Sequence, residues 1–174
     1  MRSISISVLV ALLILCGPFS VPTVAQGAAL KPGPEHQRLG DWVGQWSCDT
    51  SDESTFTMNC DWFGGGFFLV CSSKSKSASG ETTEQVLIQG YDQTKKAYTW
   101  YRYWSNGWSD KGQGWVRDNT WTWLMEDART DEGTQVRWQV AADMSPDVLT
   151  YRWEQSVEGQ PWKAGQSGKC SKAK

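Results

Sequence analysis

From Gly40 to its end the chain is cut into short runs by turn residues spaced about ten residues apart, and no stretch holds a helical period for any length. That punctuation leaves little choice of fold. Parallel strands need crossovers of a dozen or more residues, which the spacing does not provide, so consecutive runs must pair antiparallel. The turns carry their own markers: Asp92-Gln93-Thr94-Lys95, Ser105-Asn106-Gly107, Asp118-Asn119, Asp131-Glu132-Gly133, Ser145-Pro146-Asp147 and Glu158-Gly159-Gln160. The expected architecture is all-β, an antiparallel meander β-barrel of roughly eight to ten strands. A short helical turn over His36–Val43, introduced by Pro32 and Pro34, precedes the first strand at Gln45-Trp46-Ser47-Cys48. Lys74 to Thr83, rich in Ser, Lys and Gly, reads as an exposed loop.

The N-terminus reads differently. Arg2 precedes the apolar run from Val8 to Leu15, then come Gly17-Pro18 and the small-residue stretch Thr23-Val24-Ala25. That is the order of a secretory signal peptide over residues 1–25, with cleavage after Ala25 and Ala29 as the alternative. The apolar run falls short of the roughly 20 residues that a spanning helix needs. A lipid anchor on Cys16 is disfavoured because Leu15 stands where a small residue is wanted. Residues 26–39 form an N-terminal segment with the helical turn, 40–174 a single barrel domain, and the expected location is periplasmic or secreted. The net charge of −2 becomes one unit more negative when Arg2 leaves. Without a basic run the chain is a poor nucleic-acid binder, and no transmembrane segment is expected.

Four cysteines remain after the leader: Cys48, Cys60, Cys71 and Cys170. An even count in an exported chain predicts two disulfides, and the absence of a closely spaced pair argues against zinc. Phe56, Met58, Cys60 and Trp62 alternate onto one face, and Gly64-Gly65-Gly66 supplies a tight turn. With the turn centred on Gly65-Gly66, Trp62 faces Leu69 and Cys60 faces Cys71. That register favours a 60–71 bridge and leaves 48–170 to join the first strand to the last, which are neighbours in a closed barrel.

Twelve tryptophans dominate the composition. Many belong to the filling of a small barrel, where each buried ring brings a large apolar gain. Others are candidates to line a cavity for a small, largely apolar ligand, the expected partner: Trp62, Leu69, Trp100, Arg102, Trp123, Trp138, Tyr151 and Trp153. Trp100, Trp104 and Trp108 near a turn would suit sugar stacking if exposed. Arg102 is either a buried cation in need of an acidic partner or an ordinary outer-face arginine. Gly44 and Trp46 read as structural, the indole closing one barrel end beneath a basic side chain of the last strand, with Lys163 and Lys169 as candidates. His36 is the lone histidine, in a turn, and no Gly-x-Ser-x-Gly elbow is present, so no catalytic residue, metal or cofactor is expected. The rival readings are a filled structural or protein-interaction barrel, and a hydrolase or isomerase using inward-facing carboxylates.

Pro32-Gly33-Pro34-Glu35-His36, Leu39 and Val43-Gly44-Gln45-Trp46 resemble the opening of a bacterial family of lipocalin-like proteins of unknown function, domain-of-unknown-function family 1579. Gly65-Gly66-Phe67-Phe68-Leu69 and Gly90-Tyr91-Asp92, with Lys95 and Tyr98, are similar to that family too. The resemblance implies a calycin-type barrel and no reaction. Mass spectrometry of the exported protein should give a chain beginning at Gln26, lighter than the fully reduced chain by the hydrogens of two disulfides.

Overall fold

The computed structural model describes residues 31–126, 128–129 and 133–173. The expected signal peptide and both candidate cleavage points lie outside the described residues. A single helical turn, α1 (Pro34–Arg38), runs into a 3-10 turn at Leu39–Trp42. The strands are β1 (Gly44–Thr50), β2 (Thr55–Phe63), β3 (Phe68–Lys76), β4 (Thr82–Asp92), β5 (Ala97–Trp104), β6 (Ser109–Arg117), β7 (Thr120–Met125), the two-residue β8 (Ala128–Arg129), β9 (Gln135–Met144), β10 (Val148–Val157) and β11 (Lys163–Lys172). Each pairs antiparallel with its successor from β1 to β7, β7 pairs with β9, and β9–β10–β11 return to β1. The result is a closed ten-stranded meander barrel, with β8 as a short appendage on β9. Closure gives each of the ten barrel strands a neighbour on both sides, the condition on which an all-β chain avoids pairing with other chains.

Both disulfides form as the register requires. Cys60 lies opposite Cys71 and Trp62 opposite Leu69 in the β2–β3 hairpin. Cys48 and Cys170 bond across the β1–β11 seam. Asp92 sets the β4–β5 turn as an Asx cap, its carboxylate accepting the amides of Thr94 at 2.9 Å and Lys95 at 3.0 Å.

One barrel end is covered by the helical turns of Pro34–Arg38 and Leu39–Trp42. His36 is buried there as a structural group: its Nδ1 accepts the Gly33 amide at 3.2 Å, and its ring meets Phe67 and Tyr91 edge-on at 5.2 and 5.8 Å. The Arg38 guanidinium donates to the carbonyl of Asp118 in the β6–β7 turn. Inside, Leu39, Trp42, Trp46, Tyr98, Trp121 and Trp123 are buried together. Trp121 stacks on Trp123 with centroids 5.7 Å apart, and Tyr98 and Trp42 meet Trp121 edge-on at 4.7 and 5.8 Å. Trp123 fits because its cross-strand partner is Gly114: a Cβ there would lie 2.4 Å from the indole ring.

Trp46 is buried at this end, its Nε1 donating to the Trp42 carbonyl at 2.9 Å. The cation over its ring is Lys172, 5.1 Å from the centroid, and neither Lys163 nor Lys169. The seam decides this, because Cys48 opposite Cys170 puts Trp46 opposite Lys172. Gly44 makes room for that lysine: its φ is +117°, and a Cβ would sit 2.7 Å from Lys172 Cε.

Removing a bridge frees the unfolded chain by an entropy that grows with the logarithm of the loop it closes. The Cys48→Ser/Cys170→Ser variant, opening a separation of 122 residues, should lose more stability than Cys60→Ser/Cys71→Ser, which opens one of 11. Chemical denaturation should read losses of about 5 and about 3 kcal/mol.

Candidate functional site

The aromatic filling stops part-way along the barrel axis. Toward the end formed by the β1–β2, β3–β4, β5–β6 and β10–β11 turns, the lumen opens into a cavity of about 680 Å³. Trp42, Leu87, Ala142 and Leu149 are among its apolar floor residues, and Asp52, Glu81, Trp108 and Glu126 stand on its rim.

Arg102 points inward, which resolves the two orientations left open for it. Its guanidinium is clasped by Asp110, Nε to Oδ1 at 3.3 Å and Nη2 to Oδ2 at 2.5 Å. The Trp100 indole adds a bond to Oδ1 at 3.0 Å. Three rings surround the cation, Trp104 at 4.1 Å, Trp153 at 4.7 Å and Trp100 at 4.9 Å. Because Trp153 comes from β10 and Arg102 from β5, this cluster ties two distant strands together across the lumen. Burial pulls the guanidinium pKa below its ordinary value, while the Asp110 hydrogen bond and charge push it back up.

A second polar network lies on the rim. The Asp52 carboxylate accepts from the Ser54 and Thr50 hydroxyls and from the Gln166 amide, which hold it well below the usual carboxylate range. Gln166 Oε1 in turn takes the Tyr151 hydroxyl at 3.4 Å. Burial first, then the Asp52 charge, pushes the Tyr151 phenol up, so it remains a donor. Tyr151 has space because Gly168 lies opposite; a Cβ there would come within 2.6 Å of its ring.

Of the residues expected at a ligand site, Trp100, Arg102, Trp138, Tyr151 and Trp153 line the cavity. The other three do not. Leu69 and Trp123 are fully buried in the filled half, and Trp62 is exposed on the barrel wall beside Gly40. Trp62 shares the alternation of Phe56, Met58 and Cys60 but lies past the last buried position of β2, where the hairpin leaves the barrel. Of the three rings considered for sugar stacking, Trp100 is buried and Trp104 packs on Arg102, leaving Trp108 exposed at the rim.

Sequence reasoning missed one wall of the cavity. The stretch expected to be a loop from Lys74 to Thr83 is strand at both ends, with β3 running to Lys76 and β4 starting at Thr82. Ser73, Ser75 and Ser77 alternate with Lys74 and Lys76, and with Thr83 and Gln85 they line the lumen. A period of two is present, but the inward residues are polar, so no hydrophobic alternation marks it.

No protein-family model matches the chain, and no curated protein matches it. Its fold is similar to the crystal structure of Rv2717c from M. tuberculosis, with a TM-score of 0.59 and 12% identity, covering 82% of this chain and 99% of that one. A de novo designed fluorescence-activating β-barrel aligns at a TM-score of 0.41 and 17% identity over 75% of this chain and 93% of that chain, too loose a likeness to argue from. At these identities the likeness is one of fold alone: an antiparallel barrel.

Asp110 holds a buried cation in place, and removing the charge would strand it. Asp110→Asn should cost about 3 kcal/mol in chemical denaturation, whereas Arg102→Met combined with Asp110→Leu should come much closer to the parent.

Proposed function

We propose that this protein is a non-enzymatic binding protein whose barrel lumen takes up a small, largely apolar ligand. The observation that carries this reading is the cavity of about 680 Å³, open at one barrel end and lined by Trp100, Trp138, Tyr151 and Trp153. Small-molecule sites have about this size and this mixture of aromatic surface with a few polar groups. A barrel whose role was purely structural would gain by filling that space, since each apolar contact forgone costs stability. The chain fills one half of its lumen densely with indoles and leaves the other half open, a division that suits a pocket resting on a rigid floor.

The rivals fare less well at particular residues. A carboxylate-dependent hydrolase or isomerase would need an inward-facing acid free to move a proton. Asp110 faces inward, but both its oxygens are engaged by Arg102 and Trp100. A protein-interaction role draws on exposed Val86, Tyr101 and Tyr103 on the outer face of β4 and β5. That patch is compatible with lumen binding and does not compete with it.

Export to the periplasm or beyond belongs to the same proposal. Two disulfides suit an oxidising compartment, and no helix among the described residues is long and apolar enough to cross a membrane. Membership of the lipocalin-like bacterial family resembled by the Gly-Gln-Trp and Gly-Tyr-Asp segments is part of it too.

Native mass spectrometry of the mature protein from its own host, with tryptophan fluorescence, tests this function. A retained small molecule, and emission that shifts when it is stripped, are the expected results. A bare mass with emission indifferent to added apolar probes would move the assignment to a ligand-free interaction barrel.

A further inference from the structure

The cavity's two walls differ in chemistry. Strands β3 and β4 send Ser73, Ser75, Thr83 and Gln85 into the lumen, with Ser73 paired to Gln85 and Ser75 paired to Thr83 across the strands. Cross-strand neighbours stand about 5 Å apart and alternate residues about 7 Å apart, so these four make one compact polar patch. Ser75 spends its hydroxyl on the Thr83 carbonyl at 3.3 Å. The hydroxyls of Ser73 and Thr83 take no partner among the described residues, and Gln85 Oε1 is buried without one. Going round the barrel, β9 is five strands from β3 and β10 five from β4, which is half the circumference. The wall facing the patch is therefore the one carrying Trp138, Tyr151 and Trp153.

Among the described residues the lining has no cation to spare. Arg102 is the one basic residue among the described lining residues, and that charge is already matched by Asp110, while Asp52 and Glu81 add negative charge at the rim. Among these described residues a carboxylate or phosphate headgroup would meet acids and no free counter-charge.

We propose that the ligand is an uncharged, planar fused-ring compound with hydrogen-bonding groups along one edge. This rests on the lumen-binding reading above. The ring face lies on the Trp138–Tyr151–Trp153 wall, and the polar edge bonds Ser73, Thr83 and Gln85. An aliphatic chain would leave those three groups dry and unpaired, which is the condition under which a hydrogen-bonding site discriminates most strongly.

The test uses the mature, disulfide-bonded protein and follows tryptophan quenching on titration with lumichrome (planar, with heteroatoms along one edge), phenanthrene (planar hydrocarbon), dodecanoate and maltose. Lumichrome should bind at least about tenfold tighter than dodecanoate or phenanthrene, the scale of one well-placed hydrogen bond. In Ser73→Ala/Thr83→Val that margin over phenanthrene should vanish while phenanthrene binding holds, which also serves as the check that the variant is folded. Dodecanoate or maltose binding as tightly as lumichrome, or a lumichrome affinity indifferent to the double substitution, would overturn the ligand class. In either case phenanthrene binding would still uphold the lumen reading. If no probe binds, both fall together.

Discussion

Everything in this barrel hangs on the seam where β11 returns to β1. A meander of ten strands has no edge only if its first and last strands pair in one register, and a shift of one residue would turn every inward side chain outward. The Cys48–Cys170 bridge pins that register from inside the lumen. Three further features follow from it: Trp46 opposite Lys172, the cation over the indole, and a glycine at position 44 to let the lysine pass. The strongest covalent constraint and the plug of the barrel end are thus one construction.

Above that plug the molecule divides its tryptophans by task. Trp42, Trp46, Trp121 and Trp123 fill space, with Trp42 edge-on to Trp121 and Trp121 stacked on Trp123. Trp100, Trp104 and Trp153 instead surround an ion pair. A buried guanidinium is costly to desolvate, and it is retained here with a bidentate carboxylate and three ring faces, each of which recovers part of the cost. The cluster links β5, β6 and β10 across the lumen and so holds the walls of the cavity apart at its floor. Filling half the barrel tightly and bracing the rest with a polar tie lets the upper half stay open without collapsing.

How much of this can be read from residues alone depends on whether inward positions are apolar. The register of the β2–β3 hairpin is legible, because Phe56, Met58 and Cys60 alternate and a glycine run sets the turn. The strand β5 is legible as a strand, but the direction of Arg102 is not, since either face of it carries aromatic residues. The hydroxyl wall from Ser73 to Gln85 reads in part as a loop for the opposite reason: small polar residues facing inward and lysines facing outward look like solvent on both sides. Lys172 escapes notice as the partner of Trp46, although the 48–170 bridge already implies it.

What the sequence determined by itself is the local and the pairwise: turns every ten residues or so, antiparallel neighbours, the hairpin register and, from it, both disulfides. These depend on contacts between segments adjacent in the chain or joined by elimination, so residue order suffices. What only the tertiary structure decided is the content of the lumen: which rings fill it, where filling stops, and which walls face each other. Those depend on how ten strands curve and stagger when they close, and on side chains from opposite strands meeting across the interior. No alternation along any single strand encodes that distance.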